Sequence, residues 1–287
     1  ADRRVFVALE GSADVAVLGG PPWRLLRRAH VPAGPHNVEV SATGGPVVVT
    51  SPSSDRVSFL ARRTGRVLRS VPVAGYPHDV AILPGGRRVW IAAERGGRLL
   101  QLSLPRGRVL RSIEPGGPPH DIAVSPDGRE LWATIDGSSR VEIRSAASGR
   151  LLARPALQGA PHDLAFSPDG TTVWFSNWSS GRLTVVSPAS RAAVGSLQAG
   201  TEPHHFSFGL GSLWANDNAT GELVRIGPGA RRVLGRTSVG ALPHHVTTAG
   251  RYVVVALNQA GEVAIVRGGR LLERIRLGPG AHGIASS

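Results

Sequence analysis

Cysteine, methionine and lysine are all missing from this chain of 287 residues. The first absence rules out disulfides, thiolate metal sites and a cysteine nucleophile. The second removes thioether ligands, so any soft-donor metal site is excluded and imidazole and carboxylate are left as donors. Aromatic residues make up only 5%, too few to interleave with basic residues as a base-stacking platform, and nucleic acid is not an expected partner. No stretch of about 18 uninterrupted apolar residues occurs, so no membrane span is expected. A Gly-x-Ser-x-Gly elbow, a phosphate-cradling Gly-rich loop before a helix and a His-Glu-x-x-His helix are also absent.

With lysine absent, the formal net charge of +13 rests on arginine. Pairs such as Arg62-Arg63, Arg87-Arg88 and Arg231-Arg232 recur along the chain without condensing into one basic run. They read as an evenly solvated outer surface. The chain opens Ala1-Asp2-Arg3-Arg4 without an initiator methionine, as a product with its leader removed would, so a secreted or periplasmic monomer is expected.

What is abundant is repetition. Pro-His-Asp-hydrophobic-Ala-hydrophobic recurs at Pro77-His78-Asp79, Pro119-His120-Asp121 and Pro161-His162-Asp163, with looser copies at Pro35-His36-Asn37, Pro203-His204-His205, Pro243-His244-His245 and Ala281-His282-Gly283. The first histidines are spaced 42, 42, 42, 42, 40 and 38 residues apart, the length of a four-stranded propeller blade. In the third full repeat the strands fall at 121–125, 131–135, 141–144 and from 151, with Ser125-Pro126-Asp127-Gly128 as a turn. Residues 4–9, 13–18 and 23–31 supply only three strands, and 281–287 supply a lone opening strand. Joined, they make one shared blade that closes the ring. The fold class is therefore all-β, a single seven-bladed β-propeller domain over residues 1–287, its closing blade formed by 282–287 plus 1–31.

Trp90, Trp132, Trp174 and Trp214 follow the histidines at nearly fixed distance, with Val48 and Phe6 in the same place elsewhere. This regularity points to packing between blades rather than to an aromatic cage. Each Pro-His segment lies where the chain crosses from an outer strand to the next inner strand, so His36, His78, His120, His162, His204, His244 and His282 should gather at one mouth of the channel. Neutral imidazoles brought to one level suit a transition metal, whether copper, zinc, iron or nickel. Asp79, Asp121 and Asp163 are placed to fix imidazole tautomers. His205 and His245 break the symmetry on one side, which favours an off-axis metal or a proton-transfer site with His204 and His244 as its catalytic candidates. The turn between second and third strands brings Glu10, Glu94, Asp136, Asn177, Trp178, Asp217, Asn218 and Asn258 to the same mouth. A histidine that merely tied blades together would also be copied seven times, so a structural role stays open beside metal or small-molecule binding, and whether the chain is an enzyme stays open too.

The phrase Pro-His-Asp-Ile-Ala-Val-Ser-Pro-Asp-Gly, followed by Leu-Trp-Ala-Thr, resembles the YVTN-type propeller repeats of exported bacterial and archaeal proteins. The likeness covers the whole chain and implies fold rather than task. The catalytic domain of nitrous oxide reductase is similar as a seven-bladed propeller with a histidine-held copper cluster, which implies copper for the seven histidines here. This chain lacks that family's cupredoxin domain and its Cys and Met ligands. Streptogramin (virginiamycin B) lyases are similar in Gly-x-Leu-Trp-Phe-Thr-Glu repeats and in a His, Glu and magnesium mouth. Val173-Trp174-Phe175-Ser176-Asn177 matches that pattern most nearly, with Asn in the acidic place and Glu94 and Asp136 shifted by one residue.

Overall fold

The computed structural model describes residues 3–41, 44–229 and 231–287. Ala1 and Asp2, which open the stretch read as a processed terminus, lie outside the described residues. Seven antiparallel sheets of four strands each form the molecule. The blade opened by His78 runs Pro77–Ile82, Arg88–Ala93, Arg98–Ser103 and Val109–Ile113 from the axis outward. The closing blade takes Ala281–Ser286 as its inner strand against Arg3–Leu9, in register at Val7 and Ile284. Asp14–Gly20 and Arg24–His30 complete it, as the strand count predicts.

Burial explains how each strand reads. Second strands are covered on both faces, so Val47–Ser51 and Tyr252–Leu257 are buried throughout and appear as continuous apolar runs, as strands packed on both sides do. Outer strands such as Val109–Ile113 and Ala192–Gln198 are largely exposed. The repeated tryptophans fill the space between blades. Trp90 packs on Ile122, Leu131 and Ala133 of the next blade, and Trp174 packs on Phe206, Leu213 and Ala215. All four are at most 3% exposed, so truncating one to alanine should cost about 3–5 kcal/mol.

At the axis the ring closes through Gly283, whose N–H donates to the His36 carbonyl at 2.9 Å. A Cβ there would stand 2.3 Å from that oxygen. The close approach explains glycine where the other repeats carry Asp, Asn or His.

The register separates two faces. One holds the turns between second and third strands and the blade-to-blade crossings, and with them the histidines. The other holds the first-to-second and third-to-fourth turns. The arginines, evenly spread in sequence, are not evenly spread in space. Each blade places more than its share of them in the turns or turn-flanking positions of the second face, so the surface is not uniformly basic.

Candidate metal centre at the histidine mouth

The seven repeat histidines form one closed ring. Centroid distances between successive imidazoles are 4.5 Å (His36–His78), 4.2 Å (His78–His120), 4.4 Å (His120–His162), 4.4 Å (His162–His204), 4.6 Å (His204–His244), 3.8 Å (His244–His282) and 3.9 Å (His282–His36). A heptagon with such edges holds its ring centres about 5 Å from the axis, too far for every imidazole to make a bond of about 2 Å to one central ion. Ions held here must sit off-axis, among neighbouring side chains.

His205 and His245 add to one side. They stack on each other at 3.7 Å, and His205 lies 4.5 Å from His204. Two trios result in which all ligand atoms lie within 4.8 Å of one another, His162/His204/His205 and His205/His244/His245. Within the first, Nε2 of His162 and Nδ1 of His204 are buried without a hydrogen-bond partner. Elsewhere several of the nitrogens are engaged. Nε2 of His36 and of His78 are 2.9 Å apart, Nδ1 of His78 lies 3.3 Å from the His120 carbonyl, and Nδ1 of His282 lies 3.2 Å from the His36 carbonyl. His78 and His282 thus also link neighbouring blades.

Burial, followed by repulsion from neighbouring imidazoles, holds His205, His244, His245 and His282 well below the usual imidazole range. The same two causes push His78 and His204 down to about 3, and burial lowers His162. These rings are neutral at pH 7 and carry free lone pairs. His120 is the exception. Burial opposes its charge, but the Asp121 carboxylate 3.1 Å from Nδ1 outweighs burial and raises it to about 9. Burial would likewise raise Asp121, yet the His120 imidazolium wins and keeps that carboxyl well below its usual range.

The three repeat aspartates therefore do different things. Asp121 meets His120, and Nδ1 of His78 is 3.8 Å away. Asp163 lies 3.4 Å from Nδ1 of His205 and accepts the Phe206 N–H at 3.0 Å. Asp79 meets no imidazole: it accepts from the Asn37 amide at 2.9 Å and the Ile122 N–H at 2.7 Å. Burial first, then the Asp121 charge, raises Asp79 and Asp163 well above the usual range. Below the ring these aspartates, His205 and His245 border a channel cavity of about 330 Å³.

At the rim, Glu10 reaches Nδ1 of His36 at 3.2 Å and Glu94 stands 3.9 Å from Nε2 of His78, while Asp136 is exposed. Asn177 and Asp217 turn inward instead. Asn177 donates to the Gln158 carbonyl, and Asp217 accepts the N–H groups of Thr201 and Glu202, so both pin crossing loops. Trp178 is 44% exposed beside His162. His30 is exposed on an outer strand near Asp14, away from the ring.

Two residues escaped sequence reasoning. Glu39 accepts the Ile82 N–H at 2.7 Å across the channel wall, and burial pushes it up to about 8 despite that bond. Its signal was an acid inside an inner strand. Tyr76 holds a left-handed backbone, φ 64°, with its N–H and that of Gly75 bonded to the Asp55 carboxylate. This carries its ring to 6.4 Å from His78. Nothing in the sequence marks that strained position.

Seven closed blades around an imidazole-lined mouth define the class, a seven-bladed β-propeller with a histidine ring at one end of its channel. No protein-family model and no curated protein sequence matches the chain. Solved structures do. The Pseudomonas aeruginosa periplasmic gluconolactonase PpgL superposes with a TM-score of 0.83 at 17% identity, covering 100% of this chain and 99% of that one. Citrobacter koseri AztD gives 0.79 at 12% identity, covering 100% and 98%. Kuenenia stuttgartiensis hydrazine synthase gives 0.75 at 17% identity over 86% and 88%. At such identities the likeness is one of fold.

Proposed function

We propose that the histidine mouth binds transition-metal ions in off-axis sites, the His162/His204/His205 trio filling first. One observation carries this reading: among the described residues, the two imidazole nitrogens that are buried without a partner both belong to that trio. A buried unsatisfied polar atom costs about 1–3 kcal/mol, which a bound ion would relieve. The neutral state of His162, His204 and His205 is the state that ligates. Among first-row divalent ions an imidazole set without sulfur favours copper, followed by zinc and then iron. His78/His120/Asp121 and Glu10/His36/His282 offer further sectors with mixed donors. The repeat phrase supports kinship with YVTN-type exported propellers.

Elemental analysis and copper titration of untagged protein test the reading. About one or more equivalents of copper, lost on H204A or H205A, is the expected result. Less than about a tenth of an equivalent after reconstitution with copper, zinc or iron overturns it.

A second reading is favoured by the Glu10–His36 pair, an acid–base couple at the exposed rim. There a cyclic ester would be opened by elimination or hydrolysis, with magnesium held by rim carboxylates. Turnover of a cyclic ester lost in E10Q or in H204A and H244A, with no transition metal bound, would place this reading first.

A further inference from the structure

The largest electrostatic feature lies opposite the histidines. Counting the turns of each face with the strand residue at either end, the far face carries seventeen arginines and three carboxylates among the described residues, whereas the histidine face carries seven arginines and eleven carboxylates. The basic excess of the chain is thus concentrated on the far face, while the histidine face is net acidic. Of its three acids, Asp127 pairs with Arg129 and Glu130 with Arg191. Arg87, Arg88, Arg106 and Arg108 are exposed or half-buried and meet no carboxylate among the described residues.

A second pattern accompanies the charge. Outer strands begin at this face, and near their starts exposed apolar side chains recur blade after blade, with Leu26 44% exposed, Leu68 50%, Leu110 50%, Leu234 44% and Leu272 53%. The repeat Gly-Arg-Val-Leu-Arg-Ser at 65–70 and 107–112 places an arginine on each side of the leucine. The leucines are separated by whole blades, so they form a perimeter around the basic face rather than a groove.

We propose that this face docks the protein onto an anionic phospholipid surface. Guanidinium groups bind phosphate oxygens in a bidentate fork. Several such contacts together with leucines entering the headgroup boundary give a peripheral attachment. Duplex nucleic acid would satisfy the charge but leave the leucine perimeter without a role, and among the described residues this face holds no helix or aromatic platform to read it. Attached this way, the propeller holds its histidine mouth away from the bilayer.

Co-sedimentation of the full chain with phosphatidylcholine vesicles, with and without phosphatidylglycerol at about one third of the lipid, tests this. Binding is expected only with the anionic lipid, and release is expected at about 1 M salt, where charges are screened beyond about 3 Å. The variant R87E/R88E/R106E/R108E should bind roughly a hundredfold or more weakly, and R251E/R267E/R270E in another blade repeats the test should the first not fold. R95E/R140E on the histidine face should change binding by less than about threefold, and L68S/L110S should lower it severalfold with the charge intact. Equal binding to both vesicle types overturns the proposal, as do unchanged binding by both far-face variants and duplex DNA displacing the vesicles while the leucine variant binds normally. None of these readouts depends on metal, so this inference and the metal reading fail separately.

Discussion

Two sectors of the same ring carry opposite burdens. On the side of the second and third histidines, Asp121 sits against His120 and keeps that ring protonated up to about pH 9. On the side running from His162 to His282, with His205 and His245 added, every shifted imidazole is held below its usual range. The residue after the histidine is Asp79 and Asp121 in the first sector and Asp163, His205, His245 and Gly283 in the second, and of the three aspartates only Asp121 turns to the imidazole of its own strand. Place in the repeat does not by itself decide the charge: His78, followed by Asp79, is pushed down to about 3, whereas His120, in contact with the Asp121 carboxylate, is raised to about 9.

Acidification should have the largest effect. Seven histidines with lowered values are neutral in the fold and protonate in the unfolded chain below about pH 6.5, so they remove stability as pH falls from there towards about 3. Glu39, Asp79, Glu94 and Asp163, with raised values, act in the opposite sense, because the fold binds their protons before the unfolded chain does. His120 is protonated in both states below about pH 6.5, and its contribution is lost only as pH rises through about 9. Seven groups against four give a net loss between about pH 6.5 and 5, of several kcal/mol at about 1.4 kcal/mol per proton and pH unit. Melting of metal-free protein across this range checks it. A flat profile would show that the imidazole-only sector is not neutral.

Next in size, the double variant H204A/H205A should weaken metal binding by about a hundredfold or more, whereas D121N, which removes the counter-ion of His120 in the other sector, should change affinity at the trio about tenfold. Copper titration followed by calorimetry separates the two. D121N sharpens the comparison further, because His120 without its counter-ion should titrate well below about 9, as NMR of the ring protons would report. An unmoved His120 would mean that Asp121 is not what distinguishes the sectors.

Sequence alone made the blade count and the ring legible, since a period near 42 residues and the split ends leave one closed topology. The tryptophans were legible for the same reason: one kind of packing site recurs in every gap between blades. The division of labour among Asp79, Asp121 and Asp163 was not. Identical neighbours in sequence face different partners: Asp79 and Asp163 reach backbone N–H groups of the next blade, at Ile122 and Phe206, whereas Asp121 turns back to the imidazole of its own strand at His120. The gathering of arginines on one face was hidden likewise. A period of four strands brings residues about twenty apart to one end of a blade, where a linear scan for basic runs sees only scattered pairs.

The smallest expected effect makes the sharpest use of that point. Asp79 and Asp121 hold the same place in adjacent repeats, so D79N and D121N are one chemical change in two surroundings. Burial raises the Asp79 carboxyl well above its usual range, the opposite of Asp121, so its amide replacement disturbs charge less than the same change at Asp121. In D79N the carbonyl oxygen of the new amide can accept the Ile122 N–H in place of the carboxyl, and a flip of Asn37 restores the second bond, since amide orientation is free to follow its partners. D79N should therefore cost at most about 1 kcal/mol, a fall of about 2–4 °C in melting temperature. D121N at the same pH leaves His120 without a counter-ion and should cost more. Equal losses from both would mean that the shared backbone position governs these aspartates, and that the contrast between the sectors lies elsewhere in the ring.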